Sequence, residues 1–191
     1  TFAGYIAYCQ KEGIISGYAD GTFRPANTLT GYAFMKMLLG ALGYDAEVEQ
    51  YTGANWSINV AKRALNIGLD DDLVGDFNGV KAVNREEACL YALNTLTADM
   101  VEYDAKTTVS TNGTTVVIAG SKAKEMVNNG NTDGKVFDKD GVMQFAEKYF
   151  DNLSVKTGSD EFERPANVWK LKAEEIGTYT NTPDATYTKK V

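Results

Sequence analysis

Apolar positions follow two different periods along this chain, and the change between them divides it. Through the first hundred residues the spacing is helical. Tyr5, Ile6 and Cys9 form a short apolar face ended by Gly13, a residue type suited to the left-handed turn that closes helices. A second helix is expected from a Thr30 N-cap to Leu42, with Phe34, Met37, Leu38 and Ala41 on one face and Gly43 as terminator. Trp56 opens a third, with Val60, Ala61, Ala64 and Leu65 turned inward and Gly68 at its end. Asn84 caps a fourth, with Cys89, Ala92, Leu93 and Leu96 on one stripe, and Glu87 completes a capping box in which Asn replaces the usual Ser or Thr. The helices fall into two similar halves. At an offset of about 55, Gly13 lies over Gly68, Tyr5 over Val60 and Cys9 over Ala64; after one deletion Thr30 lies over Asn84. Each half is a helix, a long loop and a second helix, too small to bury its own apolar face, so the halves must pack on each other.

From about Asp104 the pattern alternates instead. TTVSTNGTTVVIA carries Asn112-Gly113 between two Thr/Val runs, a hairpin signal because both residues tolerate the positive φ of a tight turn. Residues 128–134 (NNGNTDG) read as a polar loop. Val142, Phe145, Ala146, Tyr149, Phe150 and Leu153 then trace one face of an amphipathic helix. The tail alternates in VWKLK and again in ATYTKKV around Pro183, which predicts a second hairpin. The fold class expected is α+β: an all-α part over 1–98, built of units 1–43 and 54–98, then a small α+β region over 99–191 with hairpins and one amphipathic helix. Phe23-Arg24-Pro25-Ala26-Asn27 is echoed by Phe162 and Arg164-Pro165-Ala166-Asn167, so the second region is either an unrelated domain or holds a degenerate third unit.

Composition narrows the function more than the fold. With 191 residues the chain is long enough for two small domains, and its apolar runs fall far short of the ~20 residues that span a bilayer, so no membrane insertion is expected. The formal charge of -7 argues against nucleic acid, although a few cations can still set the field inside a cleft. Histidine is absent, which removes Ser-His-Asp and Cys-His nucleophiles and His-ligated metals. Cys9 and Cys89 are too few for a metal site and form either two thiols or one disulfide. The Asp138-Lys139-Asp140-Gly141 run lacks the ligands of a calcium loop, since Val142 and Tyr149 stand where oxygen donors are needed. No cofactor, no metal and no enzymatic activity are expected. Glycan hydrolysis by paired carboxylates needs no histidine, but no acidic spacing singles out such a pair.

The most informative stretch is GIISGYADGTFRPANTLT, Gly13 to Thr30, which packs a helix stop, two turns, an Arg-Pro corner and a new helix start into one loop. It resembles the loop of an S-layer homology (SLH) repeat, by which many Gram-positive bacteria hold proteins on secondary cell-wall polysaccharide. The second half keeps Trp56, Gly68 and the helix start Asn84-Arg85-Glu86-Glu87, but its loop DDDLVGDFNGVKAV has diverged. The likeness covers roughly residues 1 to 98, while 99–191 loosely echo segments that follow such repeats in clostridial-type surface proteins. Two departures stand out. The first half starts its second helix with Thr30-Gly31-Tyr32-Ala33, without the family's Arg and Glu, and has Thr1 in place of the leading Trp. The family also works as three units where two are clear here. No charged-then-apolar leader opens the chain and Thr1 falls inside the motif, so a start within a longer protein is expected.

The resemblance implies an extracellular protein, held at the cell wall or in a surface layer, that binds a wall polymer often ending in a pyruvylated sugar. Such a ligand needs a guanidinium for its carboxylate, helix N-terminal amides for other oxygens and an aromatic face for the ring. Carried over residue by residue, it implies Arg85 as the clamp, Trp56 as the platform, and Asp20 with Arg24 as the groove loop. Each has a plainer rival: Trp56 as a core anchor, Arg85 paired with Glu86 or Glu87, Asp20-Gly21 as a turn and Arg24-Pro25 as a corner. Glu87 reads as a cap, and Tyr18 and Phe23 as packing. The alternative function is a structural or protein-protein module of a surface layer in which sugar binding is vestigial.

Overall fold

The computed structural model describes residues 2–18, 20–104, 107–111, 114–118, 122–128, 136 and 141–183, with backbone alone for 107–111 and 114–118. The chain forms an α+β fold whose contacts separate into two compact units, Thr1–Met126 and Val127–Val191.

Four helices build most of the first unit: α1 (Ala3–Lys11), α2 (Gly31–Ala41), α3 (Trp56–Asn66) and α4 (Arg85–Thr97). Their ends follow from local chemistry. Thr30 Oγ1 accepts the Ala33 N–H at 3.3 Å, and Asn84 and Glu87 exchange two hydrogen bonds of 2.9 Å in a full capping box. Gly43 ends α2 at φ 100, and a Cβ there would lie 2.2 Å from the Val101 carbonyl oxygen, so only glycine fits. Helices α2 and α3 pack on each other, and Met35, Leu39, Leu42, Val60, Ala64 and Leu69 are fully buried. Each large side chain among them contributes about 1.5–3 kcal/mol by leaving water.

Two helix faces differ from the expectation. The inward line of α2 is Met35, Leu39 and Leu42, with Phe34, Met37, Leu38 and Ala41 half-buried beside it. In α4 the buried residues are Tyr91 and Thr95, while Cys89 and Ala92 are exposed. Both helices are apolar over a wide arc, so neighbouring elements decide which part of the arc is covered.

The loop before α4 runs antiparallel to the start of α2. Thr30 bridges Ala82, Gly31 N–H donates to Lys81 at 3.0 Å and Tyr32 N–H to Gly79 at 2.8 Å. After α4, β1 (Val101–Glu102) pairs with the later β4 (Lys124–Glu125), and Val101 N–H donates to Leu42 at 2.9 Å. These strands stay with the helices, so the change of pattern near 98/99 marks a change from helix to strand rather than the edge of a compact unit. Between them β2 (Thr107–Thr111) and β3 (Thr114–Ile118) form the expected antiparallel hairpin with Thr111 opposite Thr114; its turn, Asn112-Gly113, lies outside the described residues.

In the second unit α5 is only Phe145–Tyr149, shorter than the amphipathic pattern suggests. Val142 makes an isolated bridge to Val127 and Leu153 already belongs to a strand, so the two ends of that apolar series serve strand pairing, and Tyr149 and Phe150 are exposed. A three-stranded antiparallel sheet follows in the order β5 (Leu153–Ser159), β6 (Pro165–Leu171), β7 (Glu174–Thr180). VWKLK pairs with the strands on either side of it, and ATYTKKV, residues 185–191, lies outside the described residues. The second RPAN leads into β6, as its alternation implies, rather than into a capped helix. Residues 129–135 and 137–140, the polar loop and the Asp-Lys-Asp run, also lie outside the described residues. Among the described residues no helix is long and apolar enough to cross a membrane.

Candidate functional site

A groove of about 670 Å³ lies in the first unit between the 14–29 loop, the Ala33-Lys36-Met37 side of α2 and the segment from Tyr51 to Trp56. Its loop wall is organised by Asp20. One carboxylate oxygen accepts the Thr22 N–H at 3.0 Å and the Thr22 hydroxyl at 2.7 Å, and the other accepts from the Arg24 guanidinium. Arg24 Nε also donates to Thr22 Oγ1 at 2.9 Å. Hydrogen bonds from Thr22 and then Arg24 hold the Asp20 carboxyl below the usual carboxylate range. Gly17 permits the turn: its φ is 70, and a Cβ would sit 2.9 Å from the Thr22 carbonyl oxygen.

This brace positions Arg24 over the Tyr18 ring, 4.5 Å from its centroid, while Asn27 donates to the Tyr18 hydroxyl at 3.0 Å. Across the groove the Lys36 ammonium lies 5.6 Å from the Trp56 ring centroid. Lys36 has no ion-pair partner among the described residues, and desolvation lowers its pKa. Trp56 is half-buried: its far side meets Tyr32 edge-on at 6.3 Å, and Tyr32 in turn meets Phe77 at 5.9 Å. Trp56 thus both anchors the aromatic core and lines the groove. Two cation–aromatic pairs over an apolar floor of Ile14, Ile15 and Leu29 can seat a sugar ring and an anionic substituent together.

Of the four residues singled out in the sequence, the groove gathers Arg24 and Trp56, and Asp20 braces the loop without lining the groove. Arg85 stands apart, exposed at the first position of α4 and outside the groove lining. It has no ion pair with Glu86 or Glu87 among the described residues; Glu87 is held by the cap and by Lys81 at 3.4 Å. The N-terminal amides of α2 are also unavailable to a ligand. Gly31, Tyr32 and Ala33 donate to Lys81, Gly79 and Thr30. Gly31, where the family has Arg, has no room for a side chain: a Cβ would lie 2.9 Å from the Asn78 carbonyl oxygen and 3.0 Å from Gly79.

Sequence reasoning missed Lys36, a lone charge inside the apolar run FMKMLLG, and read Tyr18 as packing. The signal was the isolation of that charge, since a lysine in an apolar helix face is retained against a desolvation cost. Cys9, half-buried, and Cys89, exposed, are free thiols.

The S-layer homology domain family matches residues 1–31, which include α1 and most of the groove loop. Over that stretch the chain carries an S-layer homology domain, a class of module that in general mediates attachment to the cell wall. No curated protein and no solved structure matches the chain.

Proposed function

We propose that this protein is attached non-covalently to the cell wall through the groove between the 14–29 loop and Trp56, and that the ligand is an acidic secondary wall polysaccharide such as one bearing a pyruvylated sugar. The observation that carries this reading is the desolvated Lys36 ammonium, without an ion-pair partner among the described residues, held over the Trp56 ring opposite Arg24 over Tyr18. An indole face suits a pyranose, and a cation freed of carboxylate partners suits a sugar acid. No covalent step is involved. In this reading residues 1–98 act as two tandem helix-loop-helix units, the protein works outside the cell, and Arg85 lies outside the ligand groove.

Retention on purified wall sacculi, with and without their secondary polymer, is the test. Binding that depends on the polymer and falls about tenfold in Trp56→Ala and in Lys36→Gln is expected, each change removing roughly 1.4 kcal/mol. Equal retention on stripped sacculi would overturn the assignment. If Arg85→Ala falls as far as Lys36→Gln, the ligand extends to α4.

A second reading, a lattice or protein-protein module, is favoured by one observation. The α2 N-terminus, where the family would present a cationic clamp, is closed by the 78–82 loop.

A further inference from the structure

A second cleft in the Thr1–Met126 unit, of about 1060 Å³, lies between the segment after α2, the C-terminal half of α3, the end of α4 and the strands β1 and β4. It shares no lining residue with the groove beside Trp56. Its charged lining is mixed, with Arg63 and Lys122 against Glu49, Asp99 and Glu125.

The wall of this cleft is built around Arg63. Glu49 accepts from its guanidinium at 3.3 Å through Oε2 and from the Tyr103 hydroxyl at 2.8 Å through Oε1, so both carboxylate oxygens are occupied. The guanidinium carbon lies 5.3 Å from the centroid of the Tyr44 ring. A guanidinium carries donors for several hydrogen bonds, and among the described residues that of Arg63 makes only the one to Glu49.

Two buried tyrosines accompany this pair. Tyr44 is 8% exposed and lines the cleft, and its hydroxyl has no hydrogen-bond partner among the described residues. Burial raises its pKa, Arg63 opposes the rise, and Glu49, Asp99 and Glu125 add to it, so the hydroxyl stays a donor and the charges acting on it are those of the cleft. Tyr51 is 2% exposed, has a hydroxyl without a partner among the described residues, and lines a smaller cleft that shares Glu49 and Arg63. Buried polar groups are almost always hydrogen-bonded. An unpartnered hydroxyl beside a guanidinium with unused N–H groups therefore marks a place for an anionic acceptor.

The remaining charges decide what that acceptor is attached to. Lys122 and Glu125 are exposed, and neither has an ion-pair partner among the described residues. A simple anion at Arg63 would meet the field of Asp99 and Glu125, and a simple cation would meet Arg63 and Lys122. A ligand that carries one charge of each sign, set apart, satisfies both. Val48, Ile67, Ala98 and Val101 supply apolar lining suited to a peptide rather than to a polyhydroxylated sugar, and the volume exceeds what one amino acid fills.

The geometry points to a second binding site, for a short zwitterionic peptide whose carboxylate docks on Arg63 and the Tyr44 hydroxyl while its ammonium meets Glu125. No bond is formed or broken there. The site stands independently of the wall-anchoring groove, because the two have separate linings.

Calorimetric titration of the full chain with the N-acetylated tripeptide Ala-Lys-Ala, which carries one carboxylate and one ammonium, tests the assignment. Saturable binding is expected, weakened about tenfold when the carboxylate is amidated and about tenfold when norleucine replaces the lysine. Tyr44→Phe keeps the ring beside Arg63 and removes an oxygen with no partner in the described chain, so it should leave thermal unfolding unchanged and weaken binding several-fold. Glu125→Gln, at an exposed position, should weaken the lysine peptide while leaving the norleucine peptide unchanged or tighter. Lys36→Gln, in the other groove, should bind the tripeptide like wild type. The proposal is overturned by an absence of saturable binding, by an amide that binds as tightly as the acid, or by a folded Tyr44→Phe protein that binds like wild type. Muramic acid, a sugar with both charges, binding as tightly as the tripeptide would overturn the peptide class, and loss of binding in Lys36→Gln would place the peptide in the groove instead.

Discussion

At the scale of single residues, two glycines and one lysine show how local space and charge set stability against binding. Gly79 sits under the Tyr32 ring, where a Cβ would fall 2.2 Å from a ring carbon, and Tyr32 supports Trp56. Gly79→Ala should therefore destabilise the protein by about 1–3 kcal/mol in denaturant titrations, the cost of overpacking a filled site. Gly4, in α1, is the counterpart, because a Cβ added there would meet nothing within 4 Å: Gly4→Ala should stabilise by up to about 1 kcal/mol. Lys36 opposes stability to binding. Burial lowers its pKa, so the unfolded chain binds its proton more tightly and stability rises as pH climbs through the lowered value toward the ordinary 10.5. Lys36→Met should leave stability unchanged or higher at neutral pH while weakening retention on sacculi. A loss of both would make Lys36 a structural residue.

At the scale of elements, what could be read from the sequence was what short range decides. The Thr30 cap, the Asn84–Glu87 capping box, the Gly43 stop and the pairing of Thr107–Thr111 with Thr114–Ile118 each depend on residues a few positions apart. Which arc of α2 or α4 is covered depends on what arrives from elsewhere, and apolar residues on both arcs leave the period silent about it. Helix α5 is short for a related reason, since Leu153 is claimed by the β5–β6 ladder. The site shows the same division. Asp20 and Arg24 were legible as a turn and corner, and the structure adds that this turn holds Arg24 over Tyr18. The pairing of Lys36 with Trp56 joins two helices and has no local signature. The same Asp-to-Arg brace recurs between Asp160 and Arg164, at 2.6 Å, in the β5–β6 turn, so the motif is a loop-building device first. Because the Asp20 carboxyl is held below 3.8, its bonds to Thr22 and Arg24 persist above that value and are lost as pH falls through the lowered one. The Thr22 amide resonance should titrate with a midpoint under 3.8, and Asp20→Asn should abolish that titration. A midpoint at or above 3.8 would mean the brace does not form in solution.

At the scale of the whole molecule, the two compact units make a prediction about where function resides. Every residue of the groove, the aromatic chain from Trp56 to Tyr91 and the strand pair that closes on Leu42 belong to Thr1–Met126. Cutting at the change of composition near 98 would remove Val101, whose N–H caps the end of α2 through Leu42, and would leave Gly43 facing water. A fragment ending at Met126 keeps those contacts, so it should unfold in one cooperative transition, whereas a fragment ending at Ala98 should lose stability or cooperativity. Calorimetry of the two fragments distinguishes them. If the longer fragment also keeps polymer-dependent retention on sacculi, the wall-binding role and the Val127–Val191 unit are separable; if retention disappears while the fragment stays folded, the second unit supplies part of the ligand contact and the groove is not sufficient.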